Sequence, residues 1–348
     1  MQGIGESAVS LDPAATALLP PVNGAPVSGL PLTDFVRPAA DDAAGDERMG
    51  AGPAARRRSI ESRDRNRRLG QAQTWTEIEN WPGSRQLIRL LLSVVGLHGR
   101  AQRNARSIEL RENDLSVVGL PREFEGYTLL HLSDLHIDIA PDVPDVIADA
   151  VRGHRYDACV MTGDYRAETC GPHEETLAGL RSLMRSLSAS VYAVLGNHDS
   201  VAFLQPMEAL GIRVLMNESV RIERDGAALH LAGVDDPHYF RSDDLARARS
   251  AIPPGAASIL LAHSPEIHAR AAAAGFTTML CGHTHGGQLC LPGGFALRSN
   301  APCPRRLWAG AWTDGDLTGY TSVGCGTCVV DLRLNCRPEI TLHRLRAR

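Results

Sequence analysis

Five short apolar runs, each followed within three residues by a polar residue that can bind a metal ion, organise the sequence between residues 128 and 285. The runs occupy residues 128–132, 158–162, 191–195, 258–262 and 277–280. Helical patterns lie between several of them, at residues 143–151, 175–187 and 266–273. Because β and α patterns alternate, the sequence predicts an α/β fold with a parallel-rich sheet covered by helices.

A second, more antiparallel sheet is predicted from short alternating segments after the third run. These segments are residues 212–216, 220–223 and 228–232. Asp225 and Gly226 lie between the last two segments, and this pair favours a tight hairpin turn. Residues 108–111 alternate like an edge strand, and residues 329–334 and 339–345 are predicted as two further strands.

The residues that follow the five apolar runs share one donor chemistry. They are Asp134, His136, Asp164, Asn197, His263, His283 and His285. In an open α/β sheet, the loops at the carboxyl ends of the strands converge on one crevice. Burying seven such polar groups is costly unless something binds them, and carboxylates mixed with imidazoles suit Mn, Fe, Zn or Mg. The sequence therefore predicts two divalent metal ions, with Asp164 as the candidate bridging ligand.

The order of these motifs resembles that of the calcineurin-like metallophosphoesterases, in particular their bacterial, often membrane-associated branch. The motifs are Asp134-x-His136, Gly163-Asp164, Gly196-Asn197-His198-Asp199, His263 and Gly282-His283-x-His285. The resemblance extends over residues 107–345. It implies a metal-dependent phosphoric ester hydrolase built as a four-layer αββα sandwich, in which two mixed β-sheets are flanked by helices.

The same resemblance implies two metal sites that share one carboxylate. The first metal would be held by Asp134, His136, Asp164 and His285, and the second by Asp164, Asn197, His263 and His283. A hydroxide bridging the metals would attack phosphorus. His198 is not a ligand in this scheme: it would contact the phosphoryl oxygens and stabilise developing charge or protonate the leaving group.

The sequence departs from the family pattern at Ala167, where many members carry an aspartate that orients the catalytic histidine. Asp199 and Glu168 are the candidate replacements, so Asp199 joins the candidate catalytic residues. Arg166, which lies two residues after Asp164, is a candidate phosphate contact. The alternative for Arg166 is an ordinary loop residue.

Charge and composition exclude several classes of protein. The chain has 348 residues, a net charge of -4 and no lysine, so nucleic-acid binding has no electrostatic support and Schiff-base or Walker-lysine chemistry is excluded. Eight cysteines in a chain of this length do not predict a disulfide framework. Cys325 and Cys328 form a weak candidate zinc or redox pair. A reduced, cytoplasmic compartment is expected.

The first hundred residues differ in character from the rest. Residues 1–70 are predicted as a disordered Pro/Ala/Arg-rich tail, residues 71–106 as an amphipathic helical segment, and residues 107–348 as the catalytic domain. Within residues 85–100, arginines occupy one narrow helical face and aliphatic residues cover the others. This pattern suits a helix in a membrane interface, peripheral to the inner face of the membrane. The alternatives are a helix docked on the protein and a helix that mediates self-association.

The function expected from these features is two-metal hydrolysis of a phosphodiester, phosphomonoester or pyrophosphate bond. The family branch and the amphipathic segment motivate a lipid-linked substrate, such as UDP-2,3-diacylglucosamine. Within the same chemistry, the alternative is a nuclease or a cyclic-nucleotide phosphodiesterase, although no nucleic-acid partner is expected. A non-catalytic scaffold with the same fold is a third hypothesis, and the complete ligand set and His198 argue against it.

Overall fold

Two six-stranded mixed sheets form the centre of the computed structural model, which describes residues 45–67, 83–169 and 171–348. The strands of the first sheet lie in the order Glu109–Val117 (β1), Glu339–Ala347 (β12), Thr128–Leu132 (β2), Ala158–Met161 (β3), Ser190–Ala193 (β4) and Ile212–Val214 (β5). Those of the second lie in the order Gly310–Asp314 (β10), Leu317–Thr321 (β11), Thr278–Cys281 (β9), Ser258–Leu261 (β8), Ala227–Gly233 (β7) and Glu218–Arg224 (β6). The neighbours β12 and β2, β10 and β11, and β6 and β7 run antiparallel, and the other neighbours run parallel.

Helices cover the outer faces of both sheets. The described helices are Ala51–Arg67 (α1), Ser84–Val94 (α2), His98–Asn104 (α3), Val143–Val151 (α4), Glu174–Met184 (α5), Leu204–Ala209 (α6), Leu245–Arg249 (α7) and His268–Ala273 (α8). Helix α4 has the bounds that the sequence predicts. The turn at Asp225 and Gly226 joins β6 to β7 as a two-residue hairpin, also as predicted.

Three apolar cores separate four layers of secondary structure. Leu129 of β2 packs between the sheets in the same core as Ile259 of β8. The next residue, Leu130, faces the other way and packs with Ile147 of α4, because successive side chains of a strand alternate between its faces. On the outer face of the second sheet, Leu260 packs in a core with residues of α7 and α8. The four-layer αββα sandwich predicted from the family resemblance is confirmed.

The parallel strands end in register, and this alignment positions the functional loops. Leu132, Met161 and Ala193 are aligned partners across β2, β3 and β4. Leu261 and Leu280 are aligned partners in β8 and β9. The polar residues after these strands therefore leave their sheets at corresponding edges.

The prediction of a strand at residues 329–334 is wrong. This segment makes one isolated bridge, between Leu334 and Leu289, and Val329 has a φ of 63° that interrupts an extended backbone. Val330 and Leu334 are buried against the residues of α2 and α3. The alternating pattern therefore reflects packing under these helices, not pairing in a sheet.

The structure also departs from the predicted disordered tail, because residues 51–67 form helix α1. Ala54 of this helix and Met49 just before it belong to the core on the outer face of the first sheet. Arg57 is fully buried and forms an ion pair with Asp235. The arginine-rich composition did not predict this packing, because a buried ion pair cannot be recognised from the arginine alone. The rest of the predicted tail and residues 71–82 lie outside the described residues.

The amphipathic segment is two helices, not the single helix predicted for residues 85–100. Helix α2 ends because Gly96 adopts a φ of 72°, and the N–H of Leu97 then donates to the carbonyl of Leu92. Ile88 and Leu92 pack on the body of the protein. One side of α2 is therefore docked on the protein, which was one of the alternatives to a membrane helix. None of the helices in the described ranges combines the length and the apolar character needed to cross a bilayer.

Candidate metal centre

Most of the predicted ligands have an unusual backbone conformation. Five of the seven, Asp134, His136, Asp164, His283 and His285, have φ between 45° and 71°. Residues other than glycine rarely adopt this left-handed conformation, and such strain is typical of functional sites.

Two glycines allow the carboxylates of the site to approach the backbone closely. A Cβ on Gly196 would lie 2.2 Å from Oδ1 of Asp164, and a Cβ on Gly282 would lie 2.4 Å from Oδ2 of Asp134. Both distances are far below van der Waals contact, so these motif positions require glycine.

The first group of predicted ligands surrounds two facing imidazoles. Nε2 of His136 lies 3.1 Å from Nε2 of His285. Nε2 of His285 lies 3.5 Å from Oδ1 of Asp134, and Nε2 of His136 lies 3.8 Å from Oδ2 of Asp164. The structure therefore brings together all four residues predicted for the first metal.

The second group surrounds His263. Its Nε2 lies 3.0 Å from Oδ1 of Asn197, 3.2 Å from Nδ1 of His283 and 3.2 Å from Oδ2 of Asp164. Nε2 of His283 is buried and has no hydrogen-bond partner among the described residues. The four residues predicted for the second metal are also together, and Asp164 borders both groups.

These separations fit metal coordination. With metal–ligand bonds near 2.1 Å, neighbouring ligand atoms of a tetrahedral or octahedral site lie about 3.0–3.4 Å apart. The nitrogen and oxygen atoms of the two ligand groups lie 3.0–3.8 Å apart. The residues present therefore fit a pair of divalent cations that share Asp164.

Burial keeps three of the imidazoles in the neutral form that binds metal. It lowers the pKa of His136 to about 4 and lowers the pKa values of His283 and His285 well below the ordinary value. Burial also lowers the pKa of His263, but the Asp164 carboxylate outweighs this effect and raises it to about 10. A proton on His263 thus occupies the place where a cation would pair with Asp164, and metal binding would release that proton.

Backbone carbonyls orient the ligand rings. Nδ1 of His136 lies 3.0 Å from the carbonyl oxygen of Arg166, and Nδ1 of His263 lies 2.7 Å from that of Thr162. When Nδ1–H donates to a carbonyl, Nε2 is left as the acceptor that faces the metal. For Asp134, the Ser133 hydroxyl donates at 2.6 Å.

His198 lies beside the first ligand group. Its ring is edge-on to that of His136, with centroids 5.6 Å apart, and its Nδ1 lies 3.4 Å from Oγ1 of Thr169. The carboxylate of Asp199 accepts backbone N–H groups from Asp164, Tyr165 and Gly196 at 2.7–3.0 Å. Asp199 therefore ties the ligand loops together, and the prediction that it orients His198 has no supporting contact in the described part of the chain.

Arg166 is buried, and its side chain donates to the carbonyl of Gly171 at 3.2 Å. Its guanidinium lies 5.7 Å from the ring centroid of Phe203. The carbonyl oxygen of Arg166 lies 3.0 Å from Nδ1 of His136, one of the predicted ligands. Its predicted role as a phosphate contact stays a prediction.

Sequence reasoning missed three residues that support the centre. Arg57 donates to the carbonyl of Asp199. Arg333 is fully buried, and its Nη1 and Nη2 lie 3.1 Å from the carbonyl oxygen and 3.2 Å from Nδ1 of His285. The ring of His238 lies 4.2 Å from that of His283. All three reach the site across large sequence separations, so no local pattern marks them.

Comparison with known proteins agrees with this geometry. The family model of calcineurin-like phosphoesterases matches residues 127–287. The uncharacterized metallophosphoesterase YkoQ of Bacillus subtilis is 29% identical over 259 residues, which cover 71% of this chain and 93% of YkoQ. Phosphodiesterase YaeI of Escherichia coli is 29% identical, with 63% of this chain and 82% of YaeI covered. An uncharacterized metallophosphoesterase of Aquifex aeolicus is 31% identical, with 49% and 67% covered. The chain therefore belongs to the calcineurin-like phosphoesterases, a family of metal-dependent phosphoester hydrolases.

Proposed function

We propose that the protein hydrolyses a phosphodiester, phosphomonoester or pyrophosphate bond with two divalent metal ions bound by the seven predicted ligands. The observation that carries this proposal is the position of Asp164. Its Oδ2 lies 3.2 Å from Nε2 of His263 and 3.8 Å from Nε2 of His136. One carboxylate thus borders both ligand groups, as a two-metal site requires.

Divalent metals bound there would polarise the phosphoryl group and lower the pKa of water to near neutrality. The chain itself contributes His198, whose imidazole can donate a proton to the leaving group or a hydrogen bond to developing charge. The backbone N–H of His198 donates to Oδ1 of Asp164 at 3.0 Å. The proposed acid is therefore held by the same carboxylate that borders both metal positions.

Replacing His198 with Ala should lower kcat about 10²–10⁴-fold, the usual contribution of one general acid or base. Metal content should remain at the wild-type value, because His198 is not among the proposed ligands. The measurement combines elemental analysis with turnover of a p-nitrophenyl phosphodiester in the presence of manganese, zinc or iron(II). The exposed His154 is the matched control, and its replacement by Ala should change neither value. Undiminished turnover by His198→Ala at full metal content would contradict the assignment.

A wider substrate panel tests the proposal against its alternatives. It contains phosphomonoesters, cyclic nucleotides, single- and double-stranded nucleic acid, and a lipid-linked pyrophosphate such as UDP-2,3-diacylglucosamine. Turnover of nucleic acid or cyclic nucleotides alone would favour the alternative within this chemistry. A protein that binds two metals and hydrolyses none of these compounds would be a scaffold.

We infer a lipid-linked substrate from the distribution of exposed apolar side chains. Ten large hydrophobic residues are exposed in the described ranges, and eight lie on α2 and its end or on one loop: Leu87, Leu90, Leu91, Val94, Val95, Leu291, Phe295 and Leu297. A cavity of about 170 Å³ is lined by Ile88 of α2, by Arg298 after that loop, and by His283 and His285 of the metal centre. An apolar surface beside a metal centre is what a substrate with acyl chains requires.

The same surface supports contact with an anionic membrane leaflet, since Arg85 and Arg89 are exposed on α2. Replacing Leu87 and Leu91 with Glu should lower partitioning into phosphatidylglycerol vesicles at least about tenfold, because burying one leucine contributes roughly 1.5–3 kcal/mol. Co-sedimentation with vesicles measures the effect. Val118 is exposed in the turn after β1, and Val118→Glu is the control. Equal partitioning of the double variant and the control would contradict the membrane proposal. It would not contradict the proposed phosphoesterase activity, which is measured separately with soluble esters.

A further inference from the structure

One cysteine lies against the first ligand group. The ligand atoms of Cys328, His136 and His285 all lie within 4.8 Å of one another. Cys328 is partly exposed, whereas both histidines are buried. A thiolate can therefore share a metal ion with the two imidazoles at only a small cost in side-chain movement.

The position of Cys328 is fixed from both sides by Gln288. The N–H of Cys328 donates to Oε1 of Gln288 at 2.8 Å, and Nε2 of Gln288 donates to the carbonyl of Cys328 at 2.7 Å. The same Nε2 also donates to the carbonyl of Val330 at 3.0 Å. Gln288 follows directly after the turn that carries His283 and His285. One turn thus positions the two histidines and the cysteine.

A cavity adjoins the thiol of Cys328. His283, His285 and Cys328 line one cavity of about 170 Å³. Cys328 therefore borders the same open space as His285, one of the two imidazoles that it would join at the metal.

We propose that Sγ of Cys328 is an additional ligand of the first metal ion, which would be held by Asp134, His136, Asp164 and His285. This inference rests on the proposed two-metal function and refines its metal chemistry. The thiol would lose its proton to solvent as the metal–sulfur bond forms. Thiolate is a soft ligand, so the first position would prefer zinc or iron(II) to magnesium or manganese, which suit oxygen ligands.

Cobalt(II) provides a direct spectroscopic test, because a cobalt–thiolate bond produces a charge-transfer absorption in the near ultraviolet that imidazole and carboxylate ligands do not produce. The full chain loaded with cobalt should show this band. Cys328→Ser should lose it, and Cys303→Ser, which changes another partly exposed cysteine, should keep it. Zinc affinity of Cys328→Ser should fall at least about tenfold, since even partners outside the ligand sphere contribute 10–100-fold.

A measurement on the unmutated protein covers the case in which Cys328→Ser does not fold. Bound zinc should protect Cys328 from iodoacetamide and leave Cys303 as reactive as in the metal-free protein, as read by peptide mass spectrometry. Two bound cobalt ions without the band, a band that persists in Cys328→Ser, or alkylation of Cys328 that zinc does not slow would overturn the inference. Those results would leave the phosphoesterase proposal standing, whereas failure to bind any metal would end both.

Discussion

Replacing Asp164 with Asn should reduce bound metal from two equivalents to one or fewer and lower kcat/KM by about 10³-fold or more. The physical reason is that one carboxylate borders both ligand groups, through His136 on one side and His263 on the other. Metal ions contribute several kcal/mol of transition-state stabilisation, and each 1.36 kcal/mol is a factor of ten in rate. Asn keeps the shape and the oxygen that accepts the N–H of His198, so the loop should persist while the bridging charge is lost.

The control for this change is Asp243→Asn. The Asp243 side chain is also largely buried, but its partner is Arg270 and it belongs to neither ligand group. Elemental analysis and steady-state kinetics of both variants give the comparison. If Asp164→Asn kept two equivalents of metal and its activity, the two-metal interpretation would have to be abandoned.

Replacing Arg57 with Met should lower the free energy of unfolding by roughly 3–5 kcal/mol, the usual effect of removing one partner of a buried ion pair. Arg57 and Asp235 are both fully buried and form an ion pair. Burial lowers the pKa of the Arg57 guanidinium, but the carboxylates of Asp235 and Glu61 outweigh it and raise the pKa, so the side chain stays charged. Met fills similar space and leaves the Asp235 charge uncompensated. Urea denaturation measures the difference.

Arg58 is the matched control on the same helix, because its ion pair with Asp46 is partly exposed and contributes about 0–1 kcal/mol. Adding Asp235→Leu to Arg57→Met should recover part of the stability, since removing both charges relieves the unpaired carboxylate. Equal stability of Arg57→Met and Arg58→Met would show that helix α1 does not pack on the domain in solution. Arg57→Met should also lower activity, because Arg57 donates to the carbonyl of Asp199 beside His198.

The fold and the metal centre are predictable from the sequence for a common reason. Each central strand is a short apolar run, and a residue with a donor atom follows the end of the strand within four residues. The pattern therefore identifies both the strand and the ligand, as for Leu132 and Asp134. Helix α4 is predictable for a similar reason, because its apolar spacing and the proline at its start are local sequence signals.

The unpredicted features depend on contacts that local patterns do not encode. Arg57 lies 178 residues from Asp235, so a run of arginines resembles a solvated tail until the partner is known. Arg333 and Cys328 reach the ligand His285 from a C-terminal segment that lacks a strand. The apolar residues of this segment alternate as they would in a strand, but they are buried under helices α2 and α3. In each case a tertiary contact overrides the local signal.

The strand order of the first sheet has a consequence for how the protein is made. Strand β12 lies between β1 and β2, and residues 341–344 pair with residues 128–131 of β2. Ribosomes produce β12 after every other strand of this sheet, so the edge of β2 stays unpaired during most of synthesis. The loop that carries Asp134 follows directly from β2. Completion of the first sheet is therefore a late event in biosynthesis, and the nascent chain carries an exposed strand edge until β12 has been made.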